Sequence, residues 1–450
     1  MNIVIVGAGK VGETLVGNFV REKHDVVVID NDYETVNNVI NRYDVKGIVG
    51  GALERDILLS AGVDKADLLI ACASHDEMNI LCCVLAKKIG VQRTVARVRD
   101  PQYFKEMENM REDLGLDFAF NPELATAREI ALVLKFPSAR RVESFAGGRA
   151  RMAEFDIVAG NPLIGKSLQQ ISREYGGKIL IGVVSRGNHE IIPHGDFVVE
   201  EDDLLHIIAD EQEIAAFCKK IKIFKRRAKS AFIIGGGKIG YYLAQDLLSS
   251  GVSVKIVEMN EERAEELSEL LPAATVLVGD GTDQEVLEEE NLKGNDACIT
   301  LTGMDEENVM ISLFAKQSKV DKIITKIDRP SILKMVDILG LDTVVTPRNV
   351  IANHIVRYVR AYSAATGEGA DTLYKIGDSA EALEFTIGES FTGVNIPLKT
   401  LAIKKNVLIG GIVRGNEFIL PSGDTTLMVG DRVIVMSEAK RFTKLSQILK

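Results

Sequence analysis

The sequence predicts an α/β protein built as a tandem duplication, each half a doubly wound parallel sheet followed by a small β-rich α+β module. Three observations carry that expectation. The first is a glycine turn, Gly7-Ala8-Gly9-Lys10-Val11-Gly12, set between the run Asn2-Ile3-Val4-Ile5-Val6 and a helix-like stretch from Glu13. The second is its copy: Phe232-Ile233-Ile234 leads into Gly235-Gly236-Gly237-Lys238-Ile239-Gly240, a shift of 228. The third is a change of texture beyond Ala153, from strands alternating with helices to short strands between glycine and proline turns, and the second half repeats that change.

The turn is read first because its context gives it meaning. A strand, a glycine turn and a helix start are what a dinucleotide-binding βαβ unit requires. Gly7 allows the tight turn, Gly9 lets backbone approach a pyrophosphate, and Gly12 lets helix pack closely on strand. The phosphate would then meet free N–H groups and the positive end of the helix dipole. Eighteen residues past Gly12 the run Val26-Val27-Val28-Ile29 ends on Asp30, placed to accept hydrogen bonds from ribose hydroxyls; Val254-Lys255-Ile256-Val257 ends on Glu258 in the same way.

The register persists along the chain. Asp76-Glu77-Met78-Asn79 returns as Asp305-Glu306-Glu307-Asn308, and Ala96-Arg97-Val98 as Thr325-Lys326-Ile327. Val183-Val184-Ser185-Arg186-Gly187-Asn188 returns as Gly411-Ile412-Val413-Arg414-Gly415-Asn416.

In the first half the pattern predicts strands at Met1–Val6, Val26–Asp30, Gly47–Val49, Leu68–Ala71, Thr94–Val98 and Phe118–Phe120, with helices between them. This alternation gives a Rossmann-like parallel sheet. The helix Ala125–Leu134 is apolar around much of its circumference, which suits a seat on another subunit and a seat on its own sheet equally; with its echo Ile351–Val359, which also ends a nucleotide domain, it is expected to cross to a neighbouring domain. Short strands follow at Phe155–Val158, Lys178–Val184, Glu190–Ile192 and Leu204–Ile208, around a short helix Ser167–Glu174. Four segments are expected: 1–140 and 228–365 as nucleotide-type domains, 150–222 and 372–450 as β-rich modules. The basic run from Lys219 to Lys229 reads as a solvated linker, and residues 365–371 as a second polar connection.

At 450 residues the chain is too long for one core. A net charge of −11 argues against general nucleic-acid binding. No apolar run is long enough to span a bilayer, and Met1 leads into a strand without a signal-peptide pattern. A cytoplasmic protein that reaches a membrane only through a partner is therefore expected. The five cysteines show no CxxC and no zinc spacing, as befits reduced thiols.

Four pieces of each nucleotide domain should meet at the carboxyl ends of the strands. They are the glycine turn, the acid after strand two, the turn after strand three (Gly50-Gly51-Ala52; Gly279-Asp280-Gly281-Thr282) and the turn after strand four. That last turn is Ala73-Ser74-His75-Asp76, matched by Thr302-Gly303-Met304-Asp305. Arg97 and Lys326, at the end of strand five, are cations placed for phosphate, with a surface ion pair as the plain alternative. His189, His194 and His206 invite a metal reading, but their counterparts are Glu417, Ser422 and Ile434, and an isoleucine marks a core strand slot. A nicotinamide dehydrogenase would need an acid or base beside the hydride acceptor. The small modules repeat no such pair, so the nucleotide reads as sensed, not consumed. An NAD-dependent oxidoreductase stays as the alternative, as does a chain with one binding half and one structural half.

Two glycine-turn domains, each with a D-E-x-N turn and a β-rich module behind it, resemble the RCK architecture, a KTN nucleotide domain followed by a TrkA-C module. The tandem arrangement is similar to the regulatory subunits of bacterial Trk-type potassium uptake systems. The resemblance implies a peripheral cytoplasmic homo-oligomer, a ring of RCK domains beneath a potassium-transporting membrane subunit, whose shape responds to NAD(H) and ATP or ADP. It places Gly7, Gly9, Gly12, Asp30 and Arg97 at a first site, and Gly235, Gly237, Gly240, Glu258, Asp280 and Lys326 at a second. Two departures stand out. Gly51 replaces the aspartate that Asp280 supplies. Glu123 resembles a glutamate that holds a divalent cation beside the nucleotide in some relatives, yet its counterpart is Arg348, which would confine such a cation to the first half. The missing aspartate would weaken adenine or ribose contacts at the first site, but Lys326 in place of an arginine and the longer Glu258 in place of Asp30 lead to the expectation that the first half holds the regulating nucleotide more tightly, the second being weaker or selective for another adenine nucleotide.

Overall fold

The computed structural model describes residues 1–450 apart from 224–225, 342, 365–369, 378, 439–441 and 443. Lys225 of the basic linker and residues 365–369 of the polar connection lie outside the described residues, as does residue 365 at the expected end of the second nucleotide domain.

The first sheet has β1 (Asn2–Val6), β2 (Asp25–Asp30), β3 (Lys46–Val49), β4 (Leu68–Ala71), β5 (Arg93–Arg97) and β6 (Phe118–Phe120). They run parallel in the order β3-β2-β1-β4-β5-β6. Ile3, Val4, Ile5 and Val6 are all buried, because helices cover both faces of such a sheet. The strand order reverses between β1 and β4, which opens the crevice that ligands use in doubly wound sheets.

The first module contains β7 (Arg141–Phe145), β8 (Ala150–Asp156), β9 (Leu180–Arg186), β10 (His189–Ile191) and β11 (Leu204–Ala209). They pair antiparallel in the order β10-β9-β11-β8-β7. Its short helix, Leu168–Tyr175, starts at a capping box in which Ser167 and Gln170 bond reciprocally. Strand β7 lies in a stretch the sequence reading left unassigned.

The second half repeats the plan. Strands β12 (Ser230–Ile234), β13 (Ser253–Glu258), β14 (Thr275–Val278), β15 (Ala297–Thr300), β16 (Lys322–Lys326) and β17 (Val344–Val345) run parallel in the order β14-β13-β12-β15-β16-β17. Strands β18 (Ala370–Ile376), β19 (Ala380–Thr386), β20 (Val407–Arg414), β21 (Glu417–Ile419) and β22 (Arg432–Glu438) form an antiparallel sheet, β18-β19-β22-β20-β21.

The halves are joined by an exchange of helices. Helix Pro122–Lys135, which ends the first nucleotide domain, buries Ala127, Ile130, Ala131 and Leu134 against Ile233, Leu243, Ala244 and Leu247 of the second. Helix Pro347–Ala364 reciprocates, setting Ile351, Ile355, Val356 and Val359 against Leu15, Val16 and Phe19 of the first. The apolar helix therefore crosses to a neighbouring domain, as does its echo Ile351–Val359, and does not seat on its own sheet. Its partner is the other half of the same chain. Polar anchors fix the crossing: Asn121 Nδ2 donates to the Tyr242 hydroxyl (2.9 Å), and Phe118 stacks on Tyr358 with centroids 4.6 Å apart.

The modules also share one core, in which Val183, Val184 and Ile207 meet Tyr374, Val413, Ile434 and Met436. Inside it the Tyr374 hydroxyl donates to Glu154 Oε1 (2.8 Å) and the Arg141 guanidinium lies 5.0 Å from the Tyr374 ring centroid.

Candidate nucleotide site

The glycine turn is built by close approach. Gly7 has φ +100°, and a Cβ there would stand 2.7 Å from the Ala73 backbone nitrogen. At Gly12 a Cβ would fall 1.8 Å from the Gly7 carbonyl oxygen, so only glycine lets this helix meet the strand. A Cβ on Gly9 would meet nothing within 4 Å, since it faces open space. The second turn is the same: Gly235 has φ +104°, a Cβ on Gly240 would come 2.4 Å from the Gly235 carbonyl, and Gly237 faces open space.

The acids after β2 and β13 brace these turns. Asp30 Oδ2 accepts from Ala8 N (2.7 Å) and Oδ1 from Asp32 N (3.0 Å). Glu258 does the same with Gly236 N (2.7 Å) and Asn260 N (2.9 Å). The additional methylene of glutamate is thus absorbed without changing either contact. Each carboxylate oxygen keeps a lone pair free for a ribose hydroxyl.

The D-E-x-N turns form a staple. Asn79, fully buried, accepts from Ala73 N (2.7 Å) and donates to the Ala73 and Arg97 carbonyls (3.0 Å each). Asn308 makes the corresponding bonds to Thr302 and Lys326. Asp76 Oδ2 accepts from the Arg99 and Asp100 backbone N–H groups, both at 2.8 Å, and Asp305 does so from Asp328 and Arg329. These residues tie the turn after β4 to the turn after β5. Asp76, expected among the ligand contacts, stands behind the site and holds its shape.

Over the first glycine turn lies a cleft of about 610 Å³. Gly7, Gly9, Lys10 and Val11 line it together with Asp30, and Ala73, Ser74 and Arg97 close one side. Ala8 contributes the N–H that Asp30 accepts, and Gly12 sits beneath the turn. Arg97 forms no surface ion pair: its Nη2 donates to the Ala73 carbonyl, and burial draws its pKa below the ordinary value. Sequence reasoning missed Met78 and Arg99, which also line the cleft, and above all the far wall, where the second half supplies Asp328, Pro347, Arg348 and Ile351. The 228-residue repeat held a signal for that wall, but only once the crossing of the helices is known.

Glu123 does not line this cleft but stands behind Arg99, which does. Its carboxylate is buried and paired with Arg99 Nε (2.6 Å), so a cation next to a first-half nucleotide would find Arg348 there in its place. Among the described residues no group of three His, Cys, Asp or Glu is arranged to hold a metal ion. His206 is buried, with Nε2 3.0 Å from Ser185 Oγ, and burial pushes its pKa down.

In the second half, Lys326 Nζ donates to the Thr302 carbonyl (2.8 Å), the equivalent of the Arg97 bond. Lys238 and Ile239 open the helix after the second turn. Asp280 is exposed, and bonds from the Thr282 N–H (2.8 Å) and hydroxyl (2.7 Å) hold its carboxyl below the usual range. Where Gly51 stands instead, Glu54 Oε1 reaches back to the Gly51 N–H (3.0 Å), so the first turn also carries a carboxylate, from three residues further on.

Fold and site together define a class: a duplicated Rossmann-like nucleotide-binding protein in which each nucleotide domain carries an antiparallel module. The TrkA-N domain matches residues 3–122 and 231–347, and the TrkA-C domain matches 152–222 and 383–450. The chain belongs to the TrkA family. It is 34% identical to the Trk system potassium uptake protein TrkA homolog 1 of Methanosarcina mazei, across 100% of both chains. It is 32% identical to the TrkA homolog of Archaeoglobus fulgidus, again across 100% of both. The solved structure of the GsuK channel bound to NAD shares the fold, with a TM-score of 0.64 at 18% identity over 97% of this chain and 76% of that one.

Proposed function

We propose that this chain is a cytoplasmic nucleotide-sensing regulatory subunit that binds NAD(H) and ATP or ADP and gates a potassium-transporting membrane partner. The observation that carries the reading is the cleft over the first glycine turn, whose walls come from both halves of a TrkA-family chain. A bound nucleotide supplies negative phosphate charge and ribose hydroxyls. Gly7, Gly9, Lys10 and the helix N-terminus would hold the phosphates, Asp30 the ribose, and Ala73, Ser74 and Arg97 the remaining edge. Gly235, Gly237, Lys238, Glu258, Asp280 and Lys326 would serve the second half. Because Pro347, Arg348 and Ile351 belong to a crossing helix, occupancy of the first cleft bears on the position of the second half. That is what a gating element needs.

Assembly into a ring is supported by matched apolar surface. Leu81 and Met310 occupy the same repeat position on helices Asp76–Ile89 and Asp305–Gln317 and are 53% and 65% exposed. Equivalent faces on the two halves allow one copy to meet the next head to tail, which closes a ring when the rotation permits. Among the described residues no helix is long and apolar enough to cross a membrane, so the membrane step belongs to the partner. An oxidoreductase finds no support in the names of the relatives.

The test is potassium influx through the co-expressed membrane partner, measured with NADH, ATP and ADP in turn, alongside NADH absorbance. Influx that shifts with nucleotide while NADH stays intact is expected. A complex whose influx ignores all three ligands, or one that oxidises NADH with a carbonyl substrate, would overturn the reading.

A further inference from the structure

Two arginines from opposite halves face the same cleft. Arg97 ends β5 of the first half, and Arg348 lies in the first turn of the crossing helix Pro347–Ala364 of the second. The Nε atoms of both are buried and without a hydrogen-bond partner. Neither arginine forms an ion pair with a described residue. A guanidinium left with an unmet buried donor is costly, and native proteins rarely keep one without a purpose. The two carboxylates of the cleft do not answer these donors: Asp30 is engaged with Ala8 and Asp32, and Asp328 lies 4.0 Å from Lys326. The open face of Gly9 lies in the same space.

The same repeat position tells a different story in the first half. Glu123 there is already neutralised by Arg99. One residue position, carried on two exchanged helices, therefore presents a cation with no ion pair among the described residues in one case and an anion bonded through one oxygen to Arg99 in the other.

We propose that Arg348 completes the first-half site in trans, gripping together with Arg97 the outer phosphates of a nucleoside di- or triphosphate. This rests on the reading of the cleft as a nucleotide site and adds the residue that would discriminate by phosphate number and the reason for it. A single phosphate is satisfied by the glycine turn and helix N-terminus of its own half. Phosphates beyond the first extend toward the wall that the second half provides, where a planar fork matches phosphate oxygens in pairs. Arg348 thus favours ATP and ADP over AMP, and only in the presence of both halves.

The experiment is calorimetric titration of the full chain and its Arg348→Gln variant with ATP, ADP, AMP and NADH, each variant first checked by thermal melting without ligand. The expected result is a loss of about 10- to 100-fold in ATP and ADP affinity at one class of sites, as for a lost charge-assisted bond, with AMP affinity unchanged. Arg348→Lys, which keeps the charge but not the fork, should recover part of the loss and stands in if the glutamine variant melts early. Unchanged ATP affinity in Arg348→Gln, or AMP affinity that falls in step with ATP, overturns the proposal. A wild-type chain that binds none of the four ligands instead overturns the nucleotide reading on which it rests.

Discussion

Replacing Ile130 with alanine tests whether the crossing helix is seated within one chain. Ile130 is fully buried among Ile233, Leu243, Ala244 and Leu247 of the second half. The substitution removes three apolar carbons, at about 0.8 kcal/mol each by transfer alone. The cavity left behind adds to that, giving about 3–4 kcal/mol in all. For a domain of this size each kcal/mol moves the melting temperature by about 2–4 °C. The assay is thermal unfolding at two well-separated protein concentrations, with light scattering for mass and hydrogen exchange for location. The melting shift should be the same at both concentrations and the mass unchanged. Exchange should quicken in helix Lys238–Ser249, which lies more than a hundred residues from the mutation. A shift that grows on dilution, or a fall in mass, would mean that the helix is seated on another copy. Faster exchange confined to β1–β6 would mean that it is seated on its own sheet.

Two further outcomes follow from the site and the core. Asp30→Ala removes the acceptor of the Ala8 and Asp32 N–H groups. It should weaken NADH binding by about 1.5–3 kcal/mol, while the wild type should prefer NADH to NADPH because a carboxylate there repels a 2′-phosphate; calorimetry showing NADPH bound as tightly would refute this. Burial pushes the thiols of Cys72, Cys82, Cys218 and Cys298 up to about 12 and that of Cys83 well above its ordinary value, so a thiolate-trapping disulfide reagent at mildly alkaline pH should label the native chain very slowly and all five cysteines promptly in denaturant, and rapid labelling of any one in the folded state would contradict it.

Much of the fold could be read from local signals. Strands Leu68–Ala71 and Phe118–Phe120 fall where the apolar runs place them, and the glycine turns where their neighbours require. Strand β7 escaped because Arg141-Val142-Glu143-Ser144-Phe145 sets its two buried residues three apart, which breaks the alternation of a half-buried strand. For helix Pro122–Lys135 the crossing to a neighbouring domain was legible but not that the domain belongs to the same chain: amphipathicity says that a face is buried, not what covers it. Asp76 was read as a ligand contact because its partners, the N–H groups of Arg99 and Asp100, are distant in sequence. Arg348 registered only as a missing glutamate, since its cleft belongs to a sheet built by the opposite end of the chain.

The exchange of helices has an evolutionary consequence. A symmetric pair of half-length chains would carry one gene and hence one residue at the position of Glu123 and Arg348, so both clefts would change together with every mutation. Joining the halves in one polypeptide gives each copy of that position its own codon. Selection can then set the charge at each copy separately, with the same helix crossing preserved in both. Fusion turns a forced identity into two independently heritable choices, and this chain has made them with opposite signs.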